Sequence, residues 1–359
     1  IMLALALPML QIMTNHSLKT NPMPSILTGS KKYSFLLLFL AIASCQNQDK
    51  MQRFQGDALG TSYNVRYFDI APNQRVSDSI DAVFLRMNQS MSTYWPNAII
   101  SKVNRDEAVT TDADFKKVFQ TAKVIWEQTD GYFDPTVGAL VNAYGFGPAK
   151  SLKEIDQVTI DSLLNITGFD KVSLLSDGTI RKAHKNTYLD FNAIAKGYAV
   201  DELASMLQSL GYTQFLVEVG GELFATGLNL EKEKPWRVAI DHPKQDANRT
   251  FIATLPLQNQ GLASSGNYRK FRTDASGKRY VHTVNPKTGE TVQSNVLSTS
   301  VLAPSTMLAD AYATALMAMP YEQSKTLISN LSTIEAMWVL AVNDSVQVVA
   351  TPGFTYDLE

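Results

Sequence analysis

The sequence predicts an α+β fold, with mixed or antiparallel sheets and helices packed against them. Three observations lead there. Strand-like and helix-like runs are interleaved without the regular strand–helix–strand repeat of a parallel sheet. No GxGxxG fingerprint and no Walker-type glycine loop is present, which removes the two commonest nucleotide-binding α/β plans. Apolar residues make up 45% of the 359 and charged ones 18%, so the chain can bury a sizeable core.

Residues 1–50 are read as a leader and kept out of the fold argument. Lys31 and Lys32 precede an apolar run over 33–44, about a dozen residues long. That is the layout of a signal peptide and shorter than the roughly 20 residues a bilayer span needs. The stretch Ile42-Ala43-Ser44-Cys45 resembles a bacterial lipobox, and Cys45 is the one cysteine of the sequence. A polar tether follows over 46–52. An ordinary secretory signal with a chance cysteine is the alternative. The expectation is an exported lipoprotein, anchored to a membrane at Cys45 and facing the periplasm. Met23 is a plausible start.

From 51 to 359 the chain reads as one catalytic domain, possibly of two subdomains. Residues 54–68 have strand character, with Tyr63, Val65 and Tyr67 alternating with polar residues after a Gly60-Thr61-Ser62 turn. Residues 77–90 place Ile80, Val83, Phe84 and Met87 on one helical face. A second helix spans 112–129 and closes at Asp130-Gly131. A third spans 192–210, with Asn192 as its cap, a stripe of Ala199, Leu203, Met206 and Leu210, and Gly211 at the stop position. Strand-like runs follow at 215–219, 236–241, 250–257 and 261–264. A fourth helix over 305–319 ends at Pro320, and 336–342 with 346–351 form a hairpin about Asn343-Asp344.

Composition closes off several function classes. A formal net charge of −2 leaves no electrostatic footprint for nucleic acid. A single cysteine excludes an internal disulfide, and the four histidines lack zinc-enzyme spacing. Any metal is therefore expected on oxygen donors, as magnesium or calcium prefers.

Asp310 and Thr314 sit four apart on the fourth helix and share a face, so both can reach one hard cation. Spacing alone favours a solvated carboxylate and a back-bonded threonine. Against that, Ala309, Ala311, Ala313 and Ala315 crowd the position, and a carboxylate among small apolar residues needs a partner. The run from Leu189 through Asp190 and Asn192 to Lys196-Gly197-Tyr198 offers a helix N-terminus and a cation to a phosphate. A plain capped helix with a surface lysine is an equal reading. Glycine turns at 145–147, 220–221 and 264–266 permit close backbone approach. Ser92-Thr93-Tyr94-Trp95-Pro96 supplies aromatic faces for a ring system or for the core. His282, at the end of a strand entering the Pro286 turn, could move a proton near neutral pH or bond to the neighbouring loop.

Taken in order, these segments resemble the ApbE family of FAD:protein FMN transferases. The likeness is carried by Leu59-Gly60-Thr61-Ser62-Tyr63, Met91-Ser92-Thr93-Tyr94, 131–138, 190–198, Val219-Gly220-Gly221-Glu222, 264–268, 282–289, and 303–305 running through Asp310 to Thr314-Ala315. The resemblance implies an ApbE-like, T-fold-like architecture. It also implies a reaction: FAD is split, FMN is attached to a Ser or Thr hydroxyl of a target protein such as a flavin-carrying electron-transport subunit, and AMP leaves. It further implies Ala193 (through its carbonyl), Asp310 and Thr314 as Mg2+ ligands. Leu59, Tyr94, Tyr132, Phe133, Asp134, Asp190, Lys196 and Val284 are implied as the FAD lining, and His282 as the proton acceptor beside Asp310. Three positions depart from the family's habit: Leu59 for a methionine, Asn285 for an aspartate, and Glu222 for an aspartate. A Mg2+-dependent FAD pyrophosphatase giving FMN and AMP, and a flavin-binding lipoprotein without chemistry, are the alternative readings.

Overall fold

The chain opens on a hairpin of β1 (Lys50–Ala58) and β2 (Thr61–Asp69). Its two turn residues, Leu59 and Gly60, both take positive φ (53° and 74°), which matches the right-handed twist of a tight hairpin. The computed structural model describes residues 49–359 apart from 153–154, 244–248, 268–270, 274–278 and 344. Residues 1–48, with Cys45, and Tyr268 and Asp344 lie outside the described residues; β1 begins at Lys50, inside the stretch read as leader and tether. Gln48–Glu359 form one compact unit. Among the described residues no helix is long and apolar enough to cross a membrane.

Helices α1 (Gln74–Met91), α2 (Ile99–Asn104), α3 (Ala113–Gln128), α4 (Gly138–Ala143) and α5 (Gln157–Asn165) follow. The small hairpin β3 (Val172–Leu174) and β4 (Ile180–Lys182) leads to α6 (Ala195–Ser209). Then come β5 (Phe215–Val219), β6 (Glu222–Thr226), β7 (Leu228–Asn229), β8 (Lys234–Asp241), β9 (Phe251–Leu257) and β10 (Gln260–Gly266). The short pair β11 (Phe271–Thr273) and β12 (Arg279–Val281) precedes β13 (Val296–Ala303). The chain closes with α7 (Thr306–Ala318), α8 (Tyr321–Ser329), β14 (Glu335–Val342), β15 (Ser345–Ala350) and β16 (Asp357–Leu358).

The main sheet has eight strands in the order β1-β2-β5-β6-β10-β13-β14-β15, and every pairing in it is antiparallel. One face carries the helical layer over a core that includes Val65, Val217, Val301 and Trp338. The other face packs on a four-stranded sheet, β16-β9-β8-β7, through Phe68, Leu216, Trp236 and Leu262. The α+β architecture with antiparallel sheets is thus the one observed.

Local chemistry explains most helix ends. Asn73 accepts from the Arg75 amide to start α1, and Asp112 accepts from Phe115 to start α3. The third helix departs from expectation. Residues 192–194 form a turn, α6 begins at Ala195, and no side chain caps it. Asn192 instead gives its amide and side-chain N–H to Asp190 (2.7 and 3.2 Å), so the carboxylate organises the turn. Leu203 and Ala199 are buried as expected. Met206 and Leu210 are only half-buried, and Val200, Ala204 and Leu207 replace them, because α6 packs on α1, α7 and the main sheet at once.

The sequence reading contained neither β6, β13 nor α8. Central β13, Val-Leu-Ser-Thr-Ser-Val-Leu-Ala, is buried on both faces and so shows no polar alternation. Two of its three hydroxyls are met by neighbours, Ser300 by the Ser264 hydroxyl at 2.7 Å and Thr299 by the Ala313 carbonyl at 2.8 Å, while Ser298 Oγ is buried without a partner.

Candidate active site

α7 is apolar around almost its whole circumference and is packed into the core, with only Leu308 and Thr314 less than fully buried. Asp310 is its one charge and is 2% exposed. Its partners come from α6. The Gly197 amide donates to Asp310 Oδ2 at 3.0 Å, and Lys196 Nζ lies 3.5 Å from the same oxygen. The helices approach this closely because Gly197 has no Cβ; one placed there would stand 2.3 Å from the Thr306 carbonyl oxygen. From the next turn of α6, Asp201 accepts the Thr306 and Met307 amides at 2.7 and 2.9 Å, capping α7 from outside.

Lys196 has a second partner, Glu222 Oε1 at 2.9 Å, from the start of β6. The lysine is thus held by two carboxylates and its charge is more than balanced, which sets aside the alternative of a plain surface lysine. Burial works to lower the Lys196 pKa, but Asp310 and Glu222 overcome it and hold the ammonium above the ordinary lysine range. Burial pushes the Glu222 carboxyl up, Lys196 pulls it back, and Asp310 adds to the rise, leaving it at about 7. Glu222 Oε2 is buried without a hydrogen-bond partner.

This linkage gives a measurable pH dependence. The folded Glu222 pKa lies above the unfolded value near 4.5, so folding takes up a proton between the two. The associated stability is complete below about pH 4.5 and is lost as the pH rises through about 7. Asp201, raised to about 6 by burial, adds to the fall in the same window. In EDTA, the urea midpoint at pH 8 is therefore expected below that at pH 5, and Glu222→Gln should remove its share of the difference. An undiminished pH dependence in that variant would assign the effect elsewhere.

A cleft of about 1340 Å³ opens above this cluster. All twelve residues singled out from the sequence line it: Leu59, Tyr94, Tyr132, Phe133, Asp134, Asp190, Ala193, Lys196, His282, Val284, Asp310 and Thr314. Tyr94 is 61% exposed, so the 92–96 segment presents its ring to the cleft instead of burying it in the core. Tyr132 carries Lys287 Nζ over its ring at 4.5 Å. Phe133 and Val284 line it from buried positions. His282 is half-buried, its ring edge-on to Phe146 at 6.4 Å between centroids.

Two lining carboxylates are occupied within the protein. Asp134 accepts from the Thr136 amide and hydroxyl (2.7 and 2.6 Å), Trp126 Nε1 and the Phe169 amide (both 3.1 Å). It fastens the loop after α3, and burial raises its pKa against those bonds. Asp190 is raised by burial as well, opposed by the bonds from Asn192.

The donor set fits a hard divalent cation. Asp310 contributes a carboxylate, Thr314 a hydroxyl one turn on, and Ala193 borders the same cleft. Among the described residues no group of three or more His, Cys, Asp or Glu could hold a metal. A cation here would complete its shell with hydroxyl, carbonyl and water oxygens. Ser265, whose Oγ is 3.4 Å from Thr314 Oγ1, and Glu222, the partner of Lys196, were not picked out as site residues from the sequence. Glu222 carried a signal, its place directly after the paired glycines at 220–221, whose positive φ values (66° and 104°) form the β5–β6 turn.

An antiparallel sheet ending in a deep cleft over a buried Lys–Glu–Asp cluster defines an enzyme of the α+β class. The chain belongs to the ApbE family, whose pattern it matches over residues 59–338. It is 38% identical over 291 residues to the FAD:protein FMN transferase of Haemophilus influenzae, spanning 77% of this chain and 83% of that protein. It is 33% identical over 332 residues to the FAD:protein FMN transferase of Vibrio cholerae, spanning 89% and 96%. The flavin transferase ApbE structure from Vibrio cholerae superimposes with a TM-score of 0.77 at 30% identity, covering 85% of this chain and 98% of that one.

Proposed function

We propose that this chain transfers FMN from FAD to a Ser or Thr hydroxyl of a target protein, with Mg2+ bound at Asp310, Thr314 and the Ala193 carbonyl. The observation that carries the reading is the convergence of Asp310, Thr314, Lys196, His282 and the aromatic Tyr94 and Tyr132 on one cleft large enough for a dinucleotide. The relatives' shared activity supports it.

In this scheme the acceptor hydroxyl oxygen attacks the phosphorus of the FMN half. The bond from that phosphorus to the bridging oxygen breaks, and AMP leaves with the bridging oxygen. His282 takes the hydroxyl proton. Tyr94 and Tyr132 flank the ring system. Lys196, clamped by Glu222, fixes Asp310 in its rotamer. Asp310, Thr314 and the Ala193 carbonyl would hold the Mg2+, which when bound would supply the charge neutralisation and alignment that phosphoryl transfer needs more than covalent help. We further propose that the chain is exported and lipid-anchored at Cys45, so that the cleft faces the periplasm.

The test uses the chain recovered from washed membranes, FAD, Mg2+ and candidate acceptors from flavin-carrying electron-transport complexes. Intact-mass spectrometry is expected to show an FMN adduct on one acceptor and none in EDTA, and the enzyme's own N-terminus to carry lipid on Cys45. Free FMN and AMP with no adduct on any acceptor would replace transfer by hydrolysis. No turnover at all would leave a binding protein.

A further inference from the structure

The cleft has a second lobe, on the other face of the main sheet. In β2, Val65 and Tyr67 point into the helical core, so Arg66, like Phe68, faces the four-stranded sheet. Arg53 of β1 stands directly opposite Arg66 in the register, on the same face. Both line the cleft together with Val238 and Ile240 of β8.

Two guanidinium groups placed opposite each other on one face of an antiparallel pair destabilise it. Only a shared charge offsets that among the described residues: Glu218 of β5 acts on both arginines, and on Arg249 as well. Neither arginine forms an ion pair among the described residues, whereas the other two arginines of the lobe are engaged, Arg249 with Asp241 at 3.0 Å and Arg237 with Asp357 at 2.5 Å. Glu218 Oε1 accepts from the Gly221 amide at 2.8 Å, and burial raises its pKa against the pull of Arg249, Arg66 and Arg53, so one carboxylate is shared by three guanidinium groups. Arg66 Nε is fixed on Asn64 Oδ1 at 3.2 Å, which leaves its terminal N–H groups without a hydrogen-bond acceptor among the described residues. Such a fork is suited to a carboxylate.

The Asp310–Lys196 cluster lies on the helical face, and the tips of the β1–β2 and β5–β6 hairpins separate it from the arginine lobe. A polypeptide lying along the arginine lobe could pass those tips and present a side chain to the cluster. We propose that the Arg53–Arg66 lobe docks an acidic stretch of the acceptor protein, its carboxylates filling the place of the missing counter-ions. This rests on the transferase reading and adds the acceptor's chemistry to it.

The test uses two fluorescein-labelled synthetic peptides of equal length, each with one central threonine. One is flanked by Asp and Glu, the other by Asn and Gln. The unsubstituted chain is expected to bind the acidic peptide about tenfold more tightly at low ionic strength, with the preference shrinking as salt is added. The double variant Arg53→Glu/Arg66→Glu should lose the preference and keep its FAD affinity, read by flavin fluorescence; Arg53→Gln/Arg66→Gln serves if the reversed chain does not fold. Equal binding of both peptides, or a preference that survives in the variants, overturns the proposal. Loss of FAD binding in the variants also overturns it, by giving the lobe to the dinucleotide. Failure of the transferase reading shows separately, as absence of FMN transfer by the unsubstituted chain to any protein.

Discussion

Asp310→Asn is expected to lower cation-dependent turnover of FAD about a thousandfold, on the order of 4 kcal/mol of lost transition-state stabilisation, while the chain stays folded. Asparagine has the same shape, and its carbonyl oxygen can still accept the Gly197 amide that Asp310 accepts at 3.0 Å. Lys196 keeps Glu222 at 2.9 Å, so no buried cation is left unpaired. What the variant removes is the one full negative charge on α7, the charge a divalent ion would need there. The measurement is turnover against Mg2+ concentration, with the melting curve as the folding control. Unchanged turnover at equal Mg2+ would remove the cation from Asp310. Lost turnover in an unfolded variant would call for Asp310→Glu instead.

Gly197→Ala is expected to be the most damaging small substitution in α6. Alanine ordinarily favours a helix over glycine by about 1 kcal/mol. Here the added methyl would lie 2.3 Å from the Thr306 carbonyl oxygen and 2.8 Å from Asp310 Cβ, and backbone oxygens in a packed core cannot step aside cheaply. Overpacking of this kind costs about 1–3 kcal/mol or more. The separation of α6 from α7 should also pull Asp310 from Lys196, so activity falls together with the unfolding midpoint. Ser205→Ala, on the exposed side of the same helix, should change neither. A Gly197→Ala chain as stable and active as its parent would mean that the two helices are not held at this distance.

Helices with one apolar stripe were legible from spacing: α1 and α3 were anticipated within a few residues of their ends, and α7 stops just before Pro320. The edge hairpin β14–β15 was legible from its turn. The burial of Asp310 was legible too, from the alanines around it. Less so was anything that two distant segments make together. β13 shows no alternation of its own, and its central Thr299 and Ser300 find partners only when the α7 backbone and Ser264 are placed against them. The start of α6 was misplaced for a local reason: Asn192 is a good cap by type, but it donates to Asp190 two residues earlier.

The sequence by itself determined the fold class, the helix faces, the carboxylate–hydroxyl pair one turn apart and the order of segments that marks the family, because these follow from periodicity and local stereochemistry. Tertiary structure alone decided that Lys196 is clamped by Glu222 and Asp310, and that Asp134 and Asp190 spend their oxygens inside the protein. It alone set Arg53 against Arg66 with no ion pair to either among the described residues and only the shared charge of Glu218 nearby. The physical reason is that electrostatics and desolvation depend on distances between groups far apart in the chain, and those distances exist only after the core has closed.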